Sequence, residues 1–332
     1  MNMGTIWSAI LSFSGAKARK TTEPVRQSPT EDPDGGPDGR NVIAEALVRS
    51  RGLRIGSARF APDRRAAPLN PDPPLPTLDT QALVDAVRRD ADAYRACVLA
   101  LALLTLWFLL LAIFHFAPSL DIAASRAFFE RVSCTAGTAS QTVCGDFPYR
   151  LDGLYLFLRK VLFYAPSAAA VVVVIALIKA LQHHGATYEP LKVRRYALSL
   201  LAFFLGPYVL VNLLLKSYSG RPRPHQTDLF GGDLPFMPAG SFSGQCENNC
   251  SFISGEAAGA GWLICLIPLL PPRLRLALAP GIIAVSLVTP AFRLTFGGHY
   301  LSDVTLGWLS SPVVFAVVVA VFEIARVRKN AA

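Results

Sequence analysis

The chain has 332 residues, 52% of them hydrophobic and only 17% charged, too apolar for an ordinary soluble domain and suited to a protein that crosses a membrane several times. A formal net charge of +9 suggests nucleic acid at first sight. The basic residues, however, crowd the N-terminal region and a few short loops between apolar segments, which is the pattern of membrane orientation and not of a nucleic-acid face.

Residues 1–77 stand apart in composition. "SPTEDPDGGPDGR" and "NPDPPLPT" are rich in Pro, Gly and Asp and carry no apolar periodicity, so this stretch reads as a disordered cytoplasmic tail. The apolar patch Ile6–Phe13 has no basic residue before it and no small-residue cleavage site close behind, so no cleaved signal peptide is expected there. Over residues 78–95, Asp79 and Thr80 supply a helix cap, and Leu83, Val84 and Val87 follow at helical spacing; an interfacial amphipathic helix is expected.

Six apolar segments follow in a unit over 96–325, near 96–117, 161–181, 196–215, 252–270, 276–292 and 301–323, each close to the roughly 20 residues a bilayer requires. The expected fold is an all-α, six-transmembrane helical bundle. Lys192, Arg194 and Arg195 lie between the second and third segments, Arg273 and Arg275 between the fourth and fifth, and Arg326, Arg328 and Lys329 after the sixth. These put both termini in the cytoplasm and the loops 118–160, 217–251 and 293–300 outside. Four of the six cysteines, Cys134, Cys144, Cys246 and Cys250, fall in those outer loops. The short separations favour Cys134–Cys144 and Cys246–Cys250 disulfides in an oxidising compartment; the alternative is four unpaired thiols.

Three polar clusters sit at the outer ends of the last four segments: "KSYSGRPRP", "CSFISGEA" and "RLTFGGHYLSD". Singly, each has an ordinary explanation. Lys216 and Arg293 can snorkel from helix ends, Ser254 can be a simple cap, and His299 with Asp303 can be an i,i+4 surface pair. Together they make a phosphate site with a nucleophile. Lys216, Arg223 and Arg293 bring three cations suited to phosphate oxygens. Ser254 and Gly255 open a helix whose N–H groups face an anion. Asp303 can hold one nitrogen of His299 and leave the other lone pair free.

In these residues the sequence resembles the type 2 phosphatidic acid phosphatase (PAP2) superfamily, whose signatures are K-x6-RP, P-SGH and SR-x5-H-x3-D. Lys216 with Arg223-Pro224, Ser254-Gly255, and Arg293 with His299 and Asp303 match in order and spacing over about 196–310. The resemblance implies a helical bundle that needs no metal or other cofactor, a phosphohistidine on His299 oriented by Asp303, and phosphate held by Lys216, Arg223, Ser254, Gly255 and Arg293. Ile253 and Ala291-Phe292 depart from the motifs where proline and serine are usual. Glu256 stands where the family places its second histidine, the residue that protonates the leaving oxygen.

A helix N-terminus and three cations favour the Glu256 carboxylate, whereas burial and a phosphate dianion favour the acid. Glu256 is therefore read as the leaving-group acid and later base, as a positioning group for an easily displaced pyrophosphate with His225 supplying the proton, or as the mark of a catalytically dead lipid-binding protein. The expected function is a lipid phosphatase acting at the outer face of a bacterial inner membrane on a phospholipid or lipid-linked phosphate. Lipid A phosphate is favoured because the long outer loops suit a bulky sugar head group. Undecaprenyl pyrophosphate, phosphatidylglycerol phosphate and lipid phosphotransfer are the alternatives.

Overall fold

The computed structural model describes residues 80–134, 143–247 and 249–331, so the reading of 1–77 as a tail lies outside the described residues. The helix expected over 78–95 is not a separate element. With no Pro or Gly to interrupt it, α1 runs unbroken from Thr80 to Phe116, and Pro118 stops it. A short α2 (Ser119–Arg126) follows, then an antiparallel pair of two-residue strands, β1 (Glu130–Arg131) and β2 (Gly145–Asp146). The Cys134–Cys144 disulfide closes that hairpin.

Helix α3 (Gly153–Gln182) starts at Asp152, whose side chain accepts hydrogen bonds from the amides of Leu154 and Tyr155. Helix α4 spans Pro190–Tyr218 and widens into a π-helix over Phe204–Leu215. Pro207 lies in that stretch and has no N–H for the ladder, and the Asn212 amide donates back to the Pro207 carbonyl at 2.9 Å. Helices α5 (Gly255–Leu266), α6 (Pro272–Thr295) and α7 (Leu301–Ala331) complete the chain. Five helices among the described residues are long and apolar enough to cross a membrane. The protein is a multi-pass membrane protein. Each helix runs past the apolar segment that predicted it, because the polar end turns are also helical.

The fourth predicted segment differs. It forms only a short apolar helix over Gly255–Leu269, and Ala257 to Leu263 are all buried. Small residues let its neighbours close in. A Cβ on Gly261 would collide with the Trp308 carbonyl of α7, and Ala96 and Ala100 of α1 meet Ala316 and Ala320 of α7. Close backbones give van der Waals contact and short interhelical hydrogen bonds, which hold helices together where lipid removes the hydrophobic drive. Ser311 donates to the Ala258 carbonyl at 2.6 Å, Ser286 to Ala260 at 2.6 Å, and Trp262 to Ser199 at 2.9 Å.

This topology gathers the start of α3, the end of α4, the start of α5, the end of α6 and the start of α7 at one end of the bundle, with both disulfides and the loop 219–254. The basic clusters around 192–195, 273–275 and 326–329 are at the other end. Gly261→Leu should force α5 and α7 apart and destabilise the protein by about 1–3 kcal/mol, read as a lowered melting midpoint in detergent.

Candidate active site

A cavity of about 500 Å³ opens at the loop-bearing end of the bundle, lined among others by Lys216, Arg223, Gly255, Glu256, Arg293 and His299. Six of the eight residues singled out from the motifs thus share one space. The other two, Ser254 and Asp303, lie fully buried behind its wall.

The wall is built from helix ends. Ser254 caps α5, its hydroxyl accepting from the Ala257 amide at 3.3 Å, and its own amide donates to the Asp303 carbonyl at 3.0 Å. Beside it Gly255 has no room for a side chain, since a Cβ there would lie 2.6 Å from Asn212 Oδ1 of α4. The first amides of α5 are left without intrahelical partners next to the cations, the usual make-up of an anion site. Lys216 stands on the last turn of α4. Arg223 comes from the loop and donates twice to the Asn249 carbonyl, at 3.2 and 2.9 Å. Burial and the neighbouring Arg159 charge lower its proton affinity, a cost that a bound anion would relieve.

His299 is 1% exposed. Its Nδ1 lies 2.7 Å from the Ser251 carbonyl oxygen. A carbonyl only accepts, so Nδ1 carries the proton and Nε2 keeps its lone pair. Burial, then the charges of Arg293, Lys216 and Arg223, push the imidazole well below its ordinary range, so it stays neutral. Asp303 does not hold this ring directly, as the motif had suggested. Its carboxylate is 3.8 Å from Nδ1 and is taken up by other donors: Ser251 Oγ at 2.5 Å, the Tyr300 amide at 3.0 Å and Arg221 Nη1 at 2.7 Å. Asp303 therefore fixes Ser251, whose carbonyl fixes the histidine.

Several residues in the site were not anticipated. Arg221 is fully buried and donates to Asp303, to Asp121 of α2 at 2.7 Å, to Ser302 at 2.8 Å and to the Met237 carbonyl at 2.9 Å. It is the first arginine of "RPRP", inside K-x6-RP but at one of its six unspecified positions. Asp121 also accepts from the amide and hydroxyl of Ser302. Arg159, from α3, forms an ion pair with Glu256, Nη2 to Oε1 at 2.7 Å and Nε to Oε2 at 3.4 Å. Arg293 Nε lies 3.5 Å from the same Oε1. His225 does not line the cavity; its Nδ1 bonds the Gly297 carbonyl at 2.8 Å, pinning the loop to the turn before His299.

The Cys246–Cys250 disulfide closes a five-residue loop directly before Ser251. With the first bridge, this is the pairing expected from spacing. Cys97 and Cys265, in the helices, are free.

A family model described as the PAP2 superfamily matches residues 195–326, which takes in α4 to α7 and every motif residue named above. The chain belongs to the PAP2 superfamily. It is 48% identical over 244 residues to the Lipid A 4'-phosphatase of Rhizobium etli, covering 74% of this chain and 94% of that one. It is also 48% identical over 225 residues to a protein of the same name from Rhizobium leguminosarum, covering 68% and 97%. A third such relative, from Francisella tularensis subsp. novicida, is 30% identical over 208 residues, covering 60% and 86%. No solved structure matches the chain. In PAP2 terms, Glu256 occupies the position of the second histidine, and Arg159 and Asp121 lie before the matched segment.

The neutral His299 carries a pH consequence. Its folded-state proton affinity is lower than the unfolded value near 6.5, so the unfolded chain binds the extra proton and stability falls as pH drops below about 6.5. His299→Gln should remove up to about 1.4 kcal/mol per pH unit of that acid sensitivity. Melting midpoints of the two proteins at pH 7 and pH 5 check this.

Proposed function

We propose that this protein is a lipid phosphatase that removes the 4'-phosphate of lipid A at the outer face of a bacterial inner membrane, with both termini in the cytoplasm. The observation that carries the reading is the cavity's two-sided character, combined with relatives of that name at 48% identity along nearly their whole length. One flank holds the cations and His299. The other runs between α3 and α4 past Phe163, Pro166, Phe203, Pro207 and Tyr208, and Phe163 and Tyr208 are exposed on the bundle's surface. A phosphorylated sugar fits the first flank while its acyl chains stay in lipid beside the second. Orientation is supported by the basic clusters at the opposite end and by two disulfides at the site's end, which need an oxidising compartment.

In this reading Lys216, Arg223, Arg293 and the Gly255 amide at the start of α5 hold the phosphate. Ser254, expected among the phosphate ligands, has its amide taken by the Asp303 carbonyl and only caps the helix from behind the wall. The Nε2 lone pair of His299 attacks phosphorus. The bond to the sugar oxygen breaks, its electron pair goes to that oxygen, and the oxygen takes a proton from Glu256. The resulting Glu256 carboxylate then takes a proton from the water that attacks the phosphohistidine, which restores His299 and the acid and frees phosphate. Burial favours the Glu256 acid, but the Arg293 and Arg159 guanidiniums outweigh it and hold the free enzyme's carboxyl below its ordinary range. When the substrate's phosphate engages Arg293 and sets its own negative charge beside the carboxylate, Glu256 takes its first proton from water at the cavity mouth.

Phosphate release by the detergent-purified protein from lipid A, undecaprenyl pyrophosphate, phosphatidylglycerol phosphate and phosphatidic acid tests the proposal. Release is expected from lipid A first and abolished in His299→Ala, with Glu256→Gln slowed by roughly 100- to 10,000-fold. Equal release by wild type and His299→Ala would overturn it. Donor loss that depends on a lipid alcohol, without free phosphate, would make the enzyme a phosphotransferase.

A further inference from the structure

We propose that Arg159 is a positioning residue for Glu256, so that the two act as a coupled pair where the family uses a histidine; the inference rests on the phosphatase reading above. Arg159 is 97 residues from Glu256 in sequence, on α3 and outside the family match over 195–326. It nonetheless lines the same cavity as His299.

The geometry is two-pronged. One guanidinium edge spans both carboxylate oxygens, at 2.7 and 3.4 Å, which fixes the carboxylate's direction as well as its place. The pair adds little to folding, because Arg159 is 33% exposed at the cavity rim and such pairs are screened. Its effect is local.

A carboxylate inside a phosphate site has a cost. It competes with the substrate for the cations, and here Arg293 already lies 3.5 Å from Oε1. Arg293 is 4% exposed, and its Nε makes no hydrogen bond among the described residues. It is therefore a buried donor waiting for an acceptor. Arg159 gives Glu256 a partner of its own and leaves Arg293 to the phosphate. Without Arg159, the carboxylate turns to Arg293, the remaining guanidinium in contact with it, and blocks the substrate. The fourth cation also offsets the negative charge that glutamate brings in place of a neutral or positive histidine.

The test is steady-state phosphate release from lipid A by the full-length chain in detergent. The variants are Arg159→Leu, Arg159→Lys, Glu256→Gln and the double variant Arg159→Leu/Glu256→Gln. Arg159→Leu should raise KM and lower kcat/KM by about tenfold or more, the scale of a lost charge-assisted hydrogen bond, while its melting midpoint stays at the wild-type value. Arg159→Lys should recover part of the loss. In the double variant KM should return to that of Glu256→Gln, because no carboxylate is left to occupy Arg293, and kcat should be no lower than in Glu256→Gln.

Losses that multiply in the double variant would overturn the proposal and make Arg159 an independent substrate contact. Wild-type kinetics in Arg159→Leu would reduce the pair to a surface ion pair. Wild type no faster than His299→Ala would overturn the phosphatase reading itself, and the proposal with it.

Discussion

The site depends on one buried guanidinium. Arg221 lies between two carboxylates, Asp121 of α2 and Asp303 of α7, at 2.7 Å from each, with no solvent exposure. Burying such charges is expensive, and removing one partner of a buried pair typically costs about 3–5 kcal/mol. The cost is met here by completeness. Each Asp121 oxygen accepts from Ser302, both Asp303 oxygens are occupied, and the Arg221 guanidinium stacks 4.3 Å from the Tyr300 ring centre. A network this saturated has one arrangement. It ties α2, the 219–254 loop and the start of α7 into a single unit, and the orientation of the His299 ring is handed down from it through Asp303 and Ser251.

That indirect route explains why the loop is stapled. His299 is held by a backbone carbonyl, so its position is only as good as the position of residue 251. The Cys246–Cys250 bridge ends one residue before Ser251, the Ser251 amide donates to the Arg221 carbonyl at 2.8 Å, and the Cys246 amide donates to Gly220 at 2.9 Å. Arg223 is bound to the Asn249 carbonyl of the same loop. His299 and Arg223 therefore share a support.

Much of this was legible in the sequence. The all-helical bundle, the cysteine pairing and the meeting of Lys216, Arg223, Gly255, Arg293 and His299 followed from hydropathy, cysteine spacing and motif spacing, because each of these is a local or periodic signal. What was not legible depends on contacts between distant segments. Asp121 lies 182 residues before Asp303, in a short polar stretch that carries no motif. Arg159 gave a faint sign, being one of two cations in the apolar run "LYLFLRKVLF", but nothing in the run names its partner. The i,i+4 spacing of His299 and Asp303 suggested a direct bond. The structure inserts Ser251 between them, because Arg221, Ser251 and the Tyr300 amide draw the carboxylate off the ring. The short α5 was also missed, since a buried apolar helix and a spanning one look alike in composition.

The three departures from the family motifs now separate by location. Phe292, which stands at the motif's serine, is half-buried on α6 between the rings of Tyr155 and Phe296 and does not line the cavity, so a hydroxyl lost there removes nothing from the cavity wall. Ile253 is fully buried and packs with Phe252, Val211 and Leu306, so the position stays apolar and uncharged although isoleucine is bulkier than proline. Glu256 alone faces the cavity, and it is the one departure that changes charge. A change of packing can be absorbed by its immediate neighbours, whereas a change of charge in an anion site alters every cation around it. The compensating group must then be another charge within contact distance, and Arg159 is the one on the cavity wall that meets that requirement without leaving the phosphate short of a partner.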